Sequence, residues 1–248
     1  MDCADDYNVV GSLLGLGEYI FLEIISGMTL PQDVRQFLVV CKKFNKLKDH
    51  PRFAKIIQSI IQIPPGFIIK EAWQGISDRM KFIHSNQLDC CAIAIDPIIK
   101  EGIVRIEIVF ENTRDWLRII GIVDTSFSFA AGDGPLINDR NGEKTVRYWG
   151  DGNFCHVFQN AEINGRYKDG QRISAIVDMT SNPRKVVFYV DDIEQPNYVI
   201  GIPSEIRFWA YTLIESSSFT VTKFERLVQF TSQRIAGSKA LQWGKQWE

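Results

Sequence analysis

The sequence has almost no net charge and few of the residues from which reaction centres are built. Its 28 lysines and arginines stand against 30 aspartates and glutamates, a net charge of −2 at pH 7. The two signs are mixed along the chain, so no basic face is set aside for a phosphate backbone and nucleic acid is not an expected partner. Histidine is scarce: His50, His84 and His156 show no mutual spacing that would assemble a metal site or a catalytic triad. Cys155 and His156 are the one pair of adjacent soft ligands, but neighbours in a strand face opposite ways. There is no G-x-S-x-G, and no glycine-rich phosphate loop; the run from Ala131 to Pro135 has turn chemistry without a helix signal after it. Five cysteines, an odd number without a C-x-x-C pair and with Cys90 and Cys91 inside an apolar run, point to reduced thiols in a cytoplasmic or nuclear setting. The first residues carry Asp2, Asp5 and Asp6, and the apolar stretch that follows is interrupted by Gly15, Gly17 and Glu18, so neither a signal peptide nor a membrane span is expected. No cofactor, metal or membrane partner follows from any of this.

What is present is apolar surface and β-type patterning. With 45% hydrophobic and 12% aromatic residues over 248 positions, the chain can bury a core of its own. From Lys168 to Leu227 four runs rich in Val, Ile, Phe, Tyr and Thr (RISAIVDM, NPRKVVFYVDD, IRFWAYTL and SSSFTVTKFERL) are separated by Gly, Asn, Pro and Ser, the grammar of short antiparallel strands. Apolar residues fall on both faces of several runs, which places the strands between layers, as in a two-sheet sandwich.

These residues also carry a resemblance. The strand ending at Asp178, the VFYV strand closing at Val190 with Asp191 and Asp192 after it, the Pro-containing loop and the run from Ile206 to Leu213 resemble the closing half of a SPRY (B30.2-like) domain. CCAIAIDPIIKEGIVRIEIVFE and WLRIIGIVD look like its opening strands. The resemblance spans about two thirds of the chain by the count of strand-like runs. It implies a concanavalin-like sandwich that binds protein or peptide targets through loops at one end.

The first sixty or so residues follow a helical period instead. Ile20, Phe21, Ile24, Ile25 and Met28 form one stripe ending near Gly27. Val34, Phe37, Leu38, Cys41 and Phe44 form a second, with Thr29 and Gln32 spaced as a capping box and Pro31 in the first turn. Phe53, Ile56, Ile57, Ile60 and Ile61 form a third, with Asp49 as the expected cap and Pro51 opening the helix before Pro64, Pro65 and Gly66 end it. The segment resembles an F-box: Leu16, Ile20, Leu22, Glu23, Ile24, Val40, Cys41, Lys42, Phe44 and Phe53 fall on matching positions. It departs at Gly17, where the family has Pro, and at Tyr19, where it has an acid; losing Pro removes a fixed φ at the helix start. The resemblance implies docking on Skp1 and a cullin ubiquitin ligase through Leu16, Ile20, Leu22, Ile24, Val40, Cys41 and Phe44. The stripes equally fit a helical cap packed on the sandwich, since amphipathic periodicity reports burial without naming the partner.

Two groups stand out as candidate partner-binding residues of the sandwich. Alternation puts Arg207, Trp209 and Tyr211 on one face of their strand, residue types that concentrate binding energy at interfaces. Arg147, Tyr148 and Trp149 precede Gly150-Asp151-Gly152 and so border a loop. Both groups also fit an aromatic layer buried under a loop or the tail. Glu107 and Glu111, four apart, are the one carboxylate pair that could share a strand face across a glycan-cleaving cleft, and a non-enzymatic chain is the expectation. Trp243 and Trp247 either fold back as a clamp or form a recognition segment.

The expectation is a mainly β chain: an F-box-like three-helix segment over 1–63, a SPRY-type antiparallel β-sandwich over 64–230 and a docked tail over 231–248. It would serve as a substrate-receptor adaptor joining a target protein to a cullin-type ligase, or as a stand-alone binding or scaffold protein.

Overall fold

The computed structural model describes residues 16–114, 117–135, 142–157, 161–233 and 235–247; Trp116, at the head of one run quoted above, lies outside them. The chain divides into two compact units: one runs to Ile63 and takes in Arg226–Gln229, and the other comprises Pro64–Glu225 and the residues from Phe230 onward.

The first unit contains four short α-helices among the described residues: α1 (Glu18–Ser26), α2 (Pro31–Val39), α3 (Lys42–Asn45) and α4 (Pro51–Ile61). Three had been expected, with the second running to Phe44. It ends earlier because Cys41 is extended (φ −155°, ψ 164°), which turns the chain and lets Phe44 stack on Phe37 at 4.4 Å and meet Phe21 at 4.6 Å. The expected capping box is not formed: Leu30 is the N-cap of α2 and makes no side-chain cap bond. Nor does Asp49 cap α4; His50 does, its Nδ1 accepting the Arg52 N–H at 3.1 Å. Phe21, Leu22, Ile25, Val34, Leu38, Phe44, Leu47, Ile56 and Ile60 form one buried cluster, so the helices have a core of their own.

The second unit is a two-sheet, largely antiparallel sandwich. One sheet has the order β1 (Gly66–Ile68), β4 (Cys91–Ile99), β14 (Ile206–Thr212), β6 (Arg118–Asp124), β7 (Thr145–Trp149), β8 (Asn153–Cys155), β9 (Ala161–Ile163). The other runs β16 (Lys239–Gln242), β13 (Asn197–Ile200), β11 (Lys185–Val190), β10 (Arg172–Asp178), β5 (Ile103–Glu111), β15 (Ser218–Leu227), β3 (Lys81–His84), β2 (Gly75–Asp78), with β12 (Ile193–Glu194) paired to β11. Asp191 and Asp192, both at positive φ (49° and 66°), make the tight turn between β11 and β12, the left-handed pair such hairpins need.

Period-two alternation sends one row of each sheet inward. In the first sheet Phe67, Ile95, Phe208, Ile122 and Val146 are in register across five strands. They face rings from the second: Phe208 meets Phe224 at 5.8 Å, Tyr148 meets Phe188 at 5.6 Å and Phe67 meets Phe219 at 5.6 Å. The row on the other face of the first sheet is buried as well. Trp209 lies opposite Gly121, and an added Cβ there would come within 2.6 Å of the indole nitrogen and 1.9 Å of the Val146 carbonyl. Only glycine lets the indole lie flat on this strand.

The end of the chain is tied into the sandwich. β16 pairs with β13 in parallel, Trp247 stacks on Phe154 at 5.1 Å, and Trp243 lies over His156 at 4.5 Å. Gly201, at φ 73°, sits where a Cβ would strike the Gln242 amide at 2.2 Å.

Candidate functional site

The six sandwich residues singled out from the sequence do not form one exposed surface. β14 is central, paired to β4 and β6, and residues on both of its faces are buried. Trp209 is fully buried, donates Nε1–H to the Ile122 carbonyl at 3.2 Å and lies 4.9 Å from the Phe129 ring. With Tyr211, Trp149, Cys155 and Phe129 it belongs to a single hydrophobic cluster, with Phe127 packed against it. The segment bearing Phe127 and Phe129 therefore covers this face, the buried aromatic layer being one of the two readings that alternation left open. Arg147 is buried too, its guanidinium donating to the carbonyls of His156 at 2.8 Å and Pro135 at 3.3 Å. Tyr148 points into the core and donates its hydroxyl to the Gly165 carbonyl; burial pushes its phenol far above the usual range. Arg207 alone keeps partial access, with Nε donating to Asp96 at 2.6 Å. A side chain sealed in this way offers packing to the fold and little area to a partner.

A concave site lies elsewhere, at one end of the sandwich. A pocket of about 510 Å³ is lined by Arg118, Gly150, Asp151, Arg166, Tyr167, Lys168, Asp169 and Gln171. Its frame is backbone: the Gly150 N–H donates to the Arg118 carbonyl at 3.0 Å, Tyr167 N–H to Gly150 at 3.0 Å and Asn164 N–H to Gly152 at 2.9 Å. Its floor is the Arg118 guanidinium, whose side chain is 5% exposed. Arg118 donates to Thr113 Oγ1 at 3.0 Å, to Asp169 Oδ1 at 3.3 Å and to the Tyr167 carbonyl, and lies 5.5 Å from the Tyr167 ring centre. The Arg118 Nε–H finds no acceptor among the described residues. Gly150 has to be glycine-sized, because a Cβ would sit 2.9 Å from that Nε. Sequence reading passed over Arg118 as one residue of an apolar strand; the available signal was the turn-rich, charged stretch RYKDG from Arg166 to Gly170.

On the helical unit, the seven residues matched to the F-box pattern separate into two sets. Leu22 and Phe44 are core, and Leu16 and Cys41 are half-buried. Ile20 (48%), Ile24 (40%) and Val40 (70%) are exposed, together with Tyr19 and Val39. Ile20 and Ile24 are one turn apart on α1 and share a face.

The carboxylates Glu107 and Glu111 do lie on one face of β5, because the strand runs through Glu111. Burial alone would raise the Glu107 carboxyl, but the Thr222 hydroxyl, Arg105 and Lys223 together hold it below the ordinary value. Lys81 holds Glu111 down likewise. Both are thus ionised and engaged, whereas paired-carboxylate hydrolysis needs one acid kept protonated. Among the described residues no group of three His, Cys, Asp or Glu stands close enough to hold a metal, no helix is long and apolar enough to cross a membrane, and Cys41, Cys90, Cys91 and Cys155 are free thiols.

No protein-family model matches the chain, and no curated protein sequence matches it. Among solved structures it is similar to the SPRY domain of human HERC1, at 12% identity over 66% of this chain and 100% of that one, with a TM-score of 0.49. It is also similar to the TRIM65 PSpry domain, at 13% identity over 74% of this chain and 96% of that one, with a TM-score of 0.47.

Proposed function

We propose that the chain is a non-catalytic adaptor of the cytoplasm or nucleus. The sandwich grips a target protein at its loop end while the helical unit docks, through its exposed aliphatic side chains, on a Skp1-type subunit of a cullin ubiquitin ligase. The observation that carries the reading is the division on the helical unit. Its own cluster of nine buried residues is complete, yet Ile20, Ile24, Val39 and Val40 remain open to solvent. Exposed aliphatics on helices whose core is already filled favour an external partner over a further role in folding. The F-box-like residues around them name the partner by resemblance, and catalysis then occurs elsewhere, by holding target and ligase together.

The test is co-purification with Skp1, comparing the native chain with an Ile20→Asp/Ile24→Asp variant. The reading expects a stoichiometric complex that the variant loses while its circular dichroism and Tm stay unchanged. A monodisperse, folded chain that fails to co-elute with Skp1 removes the ligase role and leaves a stand-alone binding protein.

A further inference from the structure

We infer that the pocket floored by Arg118 receives an anionic side chain, an Asp or Glu carboxylate or the phosphoryl group of a phosphorylated residue, presented by an extended peptide of the partner. This deepens the proposal that the loop end of the sandwich is a protein-recognition surface, and rests on it.

The charges around the cavity are unequally satisfied. Asp151 is engaged by Asn153, accepting its backbone N–H at 3.0 Å and its side-chain amide at 2.7 Å. Asp169 accepts the Thr113 N–H at 2.8 Å and the Thr113 hydroxyl at 2.5 Å. Gln171 spends its side chain on the Lys168 N–H at 2.9 Å and on Asp191 at 2.8 Å. The acids that line the cavity are thus occupied in holding its loops. The cations differ among themselves: Arg166 and Lys168 are exposed and have no acid within ion-pair distance among the described residues, whereas Arg118 is paired with Asp169 at 3.3 Å and its spare Nε–H is enclosed beside Gly150.

Two exposed cations without a paired acid at the rim of a cavity favour an incoming anion, and the Arg118 guanidinium beneath them adds to the positive potential. The geometry suits a side chain better than a free ion. The opening is bounded by turns at Gly150–Gly152 and Arg166–Gln171, while the cavity of about 510 Å³ is several times the volume of one carboxylate, leaving room for the flanking residues of a peptide. The exposed Arg166 fork matches carboxylate and phosphoryl oxygens in pairs, and Lys168 adds steering that falls with salt.

The experiment uses the full chain and three fluorescein-labelled decapeptides that differ only in alternate positions: Gly-Asp, Gly-Asn and Gly-phosphoserine repeats. Binding is read by anisotropy at 50 and 300 mM NaCl. The inference expects the Asp or phosphoserine peptide to bind at least ~10-fold more tightly than its Asn counterpart, the stronger of the two identifying the source of the anion. It also expects Arg166→Gln/Lys168→Gln to weaken that binding ~10-fold or more with an unchanged Tm. Equal affinity for the Asn peptide, absence of binding by all three, or indifference to the double substitution overturns it. Loss of the Skp1 complex in the Ile20→Asp/Ile24→Asp variant leaves these affinities untouched, so the two proposals fail separately.

Discussion

His156 provides a quantitative test of how the end of the chain is held. Its ring is 2% exposed; Nδ1–H donates to the Thr145 carbonyl at 2.8 Å and Nε2 accepts the Gly244 N–H at 2.8 Å. This uses the neutral tautomer completely, since a proton on Nε2 would face the N–H that it now accepts. Burial, with Arg147 nearby, pushes the imidazole down from 6.5 to about 4. Between those values the unfolded chain binds a proton that the folded chain refuses, so stability falls as the pH falls. The loss relative to pH 7 is about 2 kcal/mol at pH 5 and about 3 kcal/mol at pH 4. The assay is urea denaturation of the native chain and of a His156→Gln variant at half-unit pH steps, with the difference in unfolding free energy plotted against pH. The variant is less stable at pH 7 but lacks this slope, so the gap narrows by about 2 kcal/mol on reaching pH 5. A gap that stays constant from pH 7 to pH 4.5 refutes the account and assigns Trp243 and Trp247 their hold without the histidine.

Other changes test the sandwich. Glu107→Gln leaves Arg105, at 2.6 Å, and Lys223, at 3.3 Å, without their shared carboxylate. Chemical denaturation should show a loss of about 1.5 kcal/mol at pH 7, since Arg105 keeps Asp192 at 3.0 Å. The loss should shrink on acidification, because the native carboxylate's depressed pKa makes its contribution disappear as it protonates. Gly121→Ala drives a methyl into the Val146 carbonyl and the Trp209 indole, so thermal melting should reveal a cost of about 3 kcal/mol or misfolding. Trp247→Ala removes the ring stacked on Phe154; about 3 kcal/mol should be lost, and amide exchange should accelerate in Lys239–Gln242 before the rest of the sheet.

The long strands were legible because each combines β-branched and aromatic residues with period-two alternation and clear turn residues at both ends. β4, β5, β6, β10, β11, β14 and β15 all coincide with runs visible in the sequence. β8, β9 and β12 span two or three residues each, too short for a period to show, and are specified by neighbours distant in sequence. Alternation correctly separated Phe208 from Trp209, but it cannot say whether a face meets water, and the cover supplied by Phe127 and Phe129 is a tertiary fact. The stripe of α2 continues through Cys41 to Phe44, so spacing alone predicted one helix where the backbone extends at Cys41 and starts another. The pocket was missed because Arg118, Gly150 and Lys168 come from three separate stretches, each unremarkable by itself.

The parallel strand at the end of the chain has a consequence for how the protein is made. β13 is synthesised about forty residues before β16, and until Lys239–Gln242 leave the ribosome its outer backbone groups have no partner. For some seconds, at ordinary elongation rates, the nascent sandwich shows a bare edge of the type that recruits foreign strands. A premature stop after Leu227 would make that exposure permanent, so chains truncated there should accumulate as aggregates or chaperone complexes although most of both sheets has been translated.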